Sequence, residues 1–306
     1  MSCILFLLFR IIPDPSQLVI KDKSIKTPFE WVGIKKSNGM DSNGAMVVPV
    51  YLKGCQKKFF MQFDLGTPST VLYKCVLDKI NIRYPLIPFK QKFGKAILQQ
   101  LSLKLNESTI IVKEIYPMDC STTEIDFQDK KKKIIIGTIG SDFIENKVLV
   151  IDYPNKTINL NDNIPSKLFS RTELSDLQFS FRKVLLPAVI NGEKKNIFFD
   201  TGTSAFELMT DKESWIKMKK KGSFSQDFPL NSWGRTWYAH SVKTDDSIKF
   251  NSLILPIGSV TYVDGPSLFL KLGFRLSGVG GLTGNKLFLS KKILLDTKRL
   301  KFGISN

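Results

Sequence analysis

The chain has 306 residues, 42% of them hydrophobic and 24% charged, with a formal net charge of +17. It is long enough for two domains and apolar enough for each to bury a core, which excludes a disordered or fibrous protein. A single histidine, His240, excludes any metal site that needs two imidazoles, and four cysteines without a CxxC pair argue against a zinc ribbon. The positive charge is scattered. Its densest runs, Lys130–Lys133 and Lys217–Lys221, lack interleaved aromatics and read as solvated faces, so nucleic acid is not an expected partner.

In chain order, residues 1–44 read as an N-terminal leader or extension. The apolar run Cys3–Phe9 has the length of a signal-peptide core, and it reads either as a secretory leader, with the protein expected in a periplasm or cell envelope, or as a strand tucked into the fold. No stretch reaches transmembrane length. If Cys3 leaves with a leader, Cys55, Cys75 and Cys120 remain and one of them is unpaired, so the pairing stays open. Turn signals follow at Lys35–Gly39 and Asp41–Gly44. Met46–Leu52 reads as a strand, Lys53–Lys57 as a turn, and Lys58–Phe63 as a returning strand that ends on Asp64. Val71–Tyr73 is a short strand or a strand–helix junction. Ala96–Leu105 and Thr109–Ile115 form a hairpin about Asn106–Ser108, and Thr123, Glu124, Asp126 and Asp129 lack calcium-loop spacing. Ile134–Ile144 and Val148–Leu160 close the first half.

The second half repeats this plan. Val184–Ile190 is a strand, Asn191–Lys195 a turn, and Asn196–Phe199 a strand that ends on Asp200. Lys212–Lys221 is a helix candidate, strands occupy 232–263, and Gly281–Phe288 with Lys292–Ile304 closes the chain. Gly140 precedes Asp152 by 12 positions, and Gly284 precedes Asp296 by 12. We therefore read an internal duplication: a first lobe at 45–163, a linker at 164–183 and a second lobe at 184–306.

The chemistry lies where each apolar strand meets an acid. A carboxylate there is costly to bury unless hydroxyls and backbone N–H groups surround it. Thr201, Gly202 and Thr203 are such residues after Asp200, and Gly66 and Thr67 after Asp64, with Leu65 between. Each turn has a later partner, Thr138-Ile139-Gly140 in the first half and Leu282-Thr283-Gly284 in the second. On these motifs the chain resembles the aspartic proteases of the pepsin and retropepsin type. The Gly137–Ile144 segment with Val150–Tyr153 looks like the end of a bacterial retropepsin-like domain.

The resemblance implies a mainly β fold of two related pepsin/retropepsin-like β-barrel lobes with the active cleft between them. It implies an aspartic endopeptidase whose catalytic pair is Asp64 and Asp200, supported by Gly66, Thr67, Thr201, Gly202, Thr203, Gly140 and Gly284. Two close carboxylates share one proton; the ionised one activates a water and the other donates to the scissile carbonyl. No metal or cofactor enters, the partner is an extended peptide or protein, and a monomer is expected. Thr67 and Thr203 are expected on the outer carboxylate oxygens. Leu65 departs from the pattern, because the family has Thr or Ser there, bracing the lobes. Thr201 then lacks a partner unless a backbone group or water replaces it. This motivates the alternative of a catalytically degenerate peptide-binding protein. Phe93–Leu105 is the candidate flap, without the family's Tyr, and Trp233–Tyr238 reads as an ordinary hairpin. Asp152 and Asp296 read as turn residues. Asp142 has Lys286 at its equivalent place and is not expected in catalysis.

Overall fold

The strand Lys183–Ile190 shows why the chain folds into sheets. Its residues alternate, with Val184, Leu186, Ala188 and Ile190 turned inward, the period-two pattern of a strand with one face on a core. The chain turns at Asn191 and Gly192, both at positive φ, and returns antiparallel as Glu193–Phe199. The same physics recurs throughout the computed structural model. It describes residues 14–36, 39–120, 125–129, 131–165, 172–232, 235–264 and 279–306. The apolar run Cys3–Phe9, Thr123, Glu124, Lys130, Trp233, Gly234 and part of the linker lie outside the described residues.

The protein is mainly β, with two large sheets and a third that joins them. The first lobe's sheet has the strand order Leu18–Ile20, Ser108–Ile115, Lys95–Leu105, Gly39–Leu52, Phe59–Phe63, Ile135–Ile139, Val71–Leu72. The second lobe's sheet includes Arg235–Lys243, Ser259–Asp264, Leu208–Thr210, Val279–Thr283, Glu193–Phe199 and Lys183–Ile190 in that order. The expectation of barrels is corrected: among the described residues neither sheet closes on itself. In the first lobe the two end strands have only three and two residues and do not pair with each other.

The joining sheet is built from the ends of both halves. Its order is Leu174–Asp176, Lys301–Ser305, Lys292–Asp296, Val148–Asp152, Thr157–Asn161, Ser24–Pro28. Its central pair is antiparallel, with Val148 opposite Asp296, Val150 opposite Leu294 and Asp152 opposite Lys292. Gly140 and Gly284 are 144 positions apart, and so are Val150 and Leu294. Each of that last pair therefore faces its own duplicate, so the pseudo-twofold axis of the duplication passes between them. Both are fully buried and cluster with Val148 and the partly buried Ile164.

Two regions differ from expectation. Residues 18–36, read as part of an extension, form three strands. Leu18–Ile20 pairs with Ser108–Ile115, Ser24–Pro28 with Thr157–Asn161, and Glu30–Lys36 with Gly39–Leu52. Ser24–Pro28 turns only Ile25 and Thr27 inward, too few apolar residues to stand out from a loop. Lys74–Arg83 is a helix that buries Val76, Leu77 and Ile80. Three inward residues among Asn, Asp and Lys give a faint helical period, and Val, Ile and Asn are poor helix formers. Cys75 in its first turn is bonded to Cys120, with Cα atoms 5.6 Å apart, and Cys55 is free and half-buried. No helix among the described residues is long and apolar enough to cross a membrane.

Because the axis pair lies inside a sheet shared by both halves, Leu294→Ala leaves a cavity that neither lobe can close alone. The expected loss is about 2–5 kcal/mol, measured by urea denaturation, with both lobes unfolding in a single transition.

Candidate active site

Each candidate acid stands where a strand stops and a tight turn starts. Phe59–Phe63 runs parallel to Ile135–Ile139, and Asp64 continues the ladder by donating its N–H to the Ile139 carbonyl at 3.0 Å. Glu193–Phe199 runs parallel to Val279–Thr283, and the Asp200 N–H reaches the Thr283 carbonyl at 2.9 Å. The buried rings Phe63 and Phe199 lie edge-on to Phe143 and Phe288, which anchors both strand ends in the core.

The structure brings the two acids together. A Cβ on Gly66 would overlap the Asp200 carboxyl, and a Cβ on Gly202 would overlap that of Asp64. The glycines are therefore required by close approach: each turn lies against the other half's acid. Gly140 and Gly284 play a parallel part within their own halves. A side chain there would strike backbone at Thr67 and Ser69, or at Thr203.

The surroundings of the acids are unequal. The Asp64 carboxylate accepts from the Gly66 N–H at 2.9 Å, the Thr67 hydroxyl at 3.0 Å and the Thr67 N–H. Asp200 accepts from the Gly202 N–H at 2.7 Å and from the Thr203 N–H. Thr203 departs from expectation, because its hydroxyl donates to the Asp200 backbone carbonyl at 2.9 Å. A threonine hydroxyl satisfies the carbonyl three residues back in a tight turn at no cost in reach. Burial pushes both acids up, and the two carboxyls share a hydrogen bond. Asp200 is raised well above the usual range, chiefly by burial and then by the charge of the neighbouring Asp64. Two carboxyls this close titrate as a pair that shares one proton.

The brace across the halves survives in part. Thr201 donates its hydroxyl to the Phe63 carbonyl at 2.8 Å and accepts from the Leu65 N–H at 2.9 Å. A backbone group thus replaces the hydroxyl missing from position 65. Leu65 returns no side-chain bond and is fully buried in the core instead.

Several supporting residues escape sequence reasoning. Ser141 donates to the Leu65 carbonyl at 2.6 Å. Its duplicate Asn285 donates to the Thr201 carbonyl at 2.9 Å and to the Ser204 hydroxyl at 2.6 Å. Both directly follow the closing glycines, which is the signal that could have exposed them. Asp142 accepts from the Thr70 N–H and hydroxyl at 2.9 and 2.8 Å and holds the segment after Asp64 rather than facing the other acid. Buried Arg182, from the linker, ties Glu145 at 2.8 Å to Ser69 at 3.2 Å. Of the remaining expectations, Phe93 is an exposed residue at the tip between Phe89–Lys92 and Lys95–Leu105. His240 pairs with Asp227 at 2.9 Å on a second-lobe hairpin.

Thr201→Val removes both brace bonds and strands a buried N–H and a buried carbonyl. The expected cost is about 1–3 kcal/mol for each group, measured by chemical denaturation. The pH dependence has a definite sign. An acid whose folded pKa lies above its unfolded value holds its proton longer in the folded state. Its stabilisation is full below about pH 4 and is lost as pH rises through the folded pKa. Unfolding free energy should therefore fall above about pH 4, at no more than about 1.4 kcal/mol per pH unit for each proton. Asp142, also raised by burial, contributes with the same sign. Urea titrations of wild type beside Asp64→Asn isolate the pair, and the variant should show the shallower decline.

No family model matches the chain, and no curated protein matches it. Among solved structures it is similar to basic 7S globulin from soybean, at 9% identity over 94% of this chain and 95% of that one, with a TM-score of 0.49. It is also similar to conglutin gamma, a basic 7S globulin from lupine seeds, at 10% identity over the same shares, with a TM-score of 0.52. The expected kinship with bacterial retropepsin-like proteases is thereby corrected: the neighbours are plant seed globulins. At this identity, conglutin gamma shows the fold alone, a pepsin-like arrangement of two β lobes.

Proposed function

We propose that this chain is a peptide-binding protein on the pepsin-like fold, with a retained carboxylate pair and degenerate catalysis. The observation that carries the reading is the one-sided turn pair: Leu65 gives no brace, while Thr201 does all the bridging. An extended peptide would lie between the lobes and pair its backbone with strand edges, as peptides do on exposed sheets. Its carbonyl would accept from the protonated member of the pair. The Cys75–Cys120 bond fits an oxidising compartment, so export belongs to this reading.

A second reading, peptide hydrolysis, is favoured by the pair itself. Asp64 and Asp200 lie close enough to share one proton. The ionised acid would take a proton from water as the water oxygen bonds to the scissile carbon, while the other acid donates its proton to the carbonyl oxygen. As the C–N bond breaks, the first acid would pass its proton to the leaving nitrogen and the second would recover its own.

One experiment separates the readings. The purified chain is incubated with a randomised decapeptide pool between pH 3 and pH 8. Retained peptides are identified by mass spectrometry, and cleaved ends are counted. The first reading expects retention without new ends, and no turnover on Leu65→Thr. New ends that fall by about 100-fold or more in Asp64→Asn and Asp200→Asn establish the second reading. Neither retention nor cleavage overturns both.

A further inference from the structure

Tyr153 directly follows the first lobe's strand Val148–Asp152, and its side chain reaches the second lobe. It is almost fully buried and lies edge-on to Phe29 at 6.2 Å. Its hydroxyl donates to Asn285 Oδ1 at 2.6 Å. The donor direction follows from the far side of Asn285. The Thr201 carbonyl can only accept, so the amide nitrogen faces it, at 2.9 Å, and Oδ1 is left for Tyr153. The chain of contacts therefore runs from one lobe's hydroxyl, through one amide, to the carbonyl of the residue beside Asp200.

Among the described residues the first lobe has no counterpart. There Ser141 reaches the Leu65 carbonyl directly, within its own lobe. Tyr153's own duplicate, 144 positions on, is Thr297. It crosses the lobes too, but donates to the Ile144 carbonyl, in the turn after Gly140. So the one extended strut ends on the turn that Leu65 fails to hold. We infer that Tyr153 is a positioning residue for the carboxylate pair, acting through Asn285 as a second tie between the lobes in place of the missing half of the brace.

This inference rests on the carboxylate pair used in both readings above, but not on binding or turnover. Its test reads the pair directly. The carboxyl carbons of Asp64 and Asp200 are followed by carbon-13 NMR through a pH titration of the full chain, in wild type, Tyr153→Phe, Leu65→Thr and the double variant. A pair held in register titrates in two well-separated steps. Tyr153→Phe should narrow that separation by about one pH unit or more, the size of coupling that makes two sites titrate as a pair. In the Leu65→Thr background, where a hydroxyl restores the brace, the narrowing should fall to less than half. Asn285→Ser keeps a donor for the Thr201 carbonyl but cuts the tie to Tyr153. It should reproduce the Tyr153→Phe profile, and it serves as the second route if Tyr153→Phe does not fold. An unchanged separation in either folded variant overturns the inference. Equal narrowing with and without Leu65→Thr overturns the replacement of the brace. A protein that neither binds nor cleaves peptide but shows the expected narrowing overturns the proposed function and leaves this inference standing.

Discussion

Two carboxyl groups pressed together out of water impose the constraint on which the rest depends. They cannot both be charged at this distance, so they must share a proton, and sharing requires that two turns from distant parts of the chain stay in register. Every nearby feature serves that demand. Gly66 and Gly202 leave out the Cβ atoms that would strike the opposite carboxyls. The Thr201 hydroxyl crosses between halves. Phe63 and Phe199 fix the strand ends in packed rings.

Register at the acids depends in turn on the joining sheet. Strands from the ends of both halves pair along Val148–Asp152 and Lys292–Asp296, with the axis at Val150 and Leu294. Residues on one face of this sheet, including Leu149, Ile151, Ile293 and Leu295, belong to the main core, and Val150 and Leu294 face the other side. The two central strands are buried along nearly their whole length, so turning one half against the other would break hydrogen bonds in a dry setting. The duplicated strands thus act twice, as each half's closing element and as the joint between the halves.

The parts legible in the sequence were those that repeat. The acids at strand ends, the paired closing glycines and the 12-residue spacing to Asp152 and Asp296 stand out because two copies carry them. The mainly β class followed from the abundance of Phe, Val, Ile and Thr and from apolar runs bounded by turns, such as Val184 to Ile190 before Asn191-Gly192. What stayed hidden was single-copy. Tyr153 and Thr297 are duplicates with different side chains, as are Ser141 and Asn285. A comparison of halves reads such differences as noise, whereas the structure shows four donors, each on a carbonyl. Ser24–Pro28 and Lys74–Arg83 were hidden for another reason, since each turns too few apolar residues inward to set a period. The Cys75–Cys120 bond joins residues 45 apart in sequence, and no local pattern announces it.

The asymmetry of the pair carries a chemical consequence. Asp64 collects two donors from Thr67 as well as one from Gly66, which favours its charged form. Thr203 turns its hydroxyl back on the main chain and leaves Asp200 with fewer donors. The two acids are thereby held by unequal sets of donors even in a duplicated frame. Leu65 sits beside Asp64 and Thr201 beside Asp200, so the missing hydroxyl and the missing carboxylate donor fall on opposite sides of the axis.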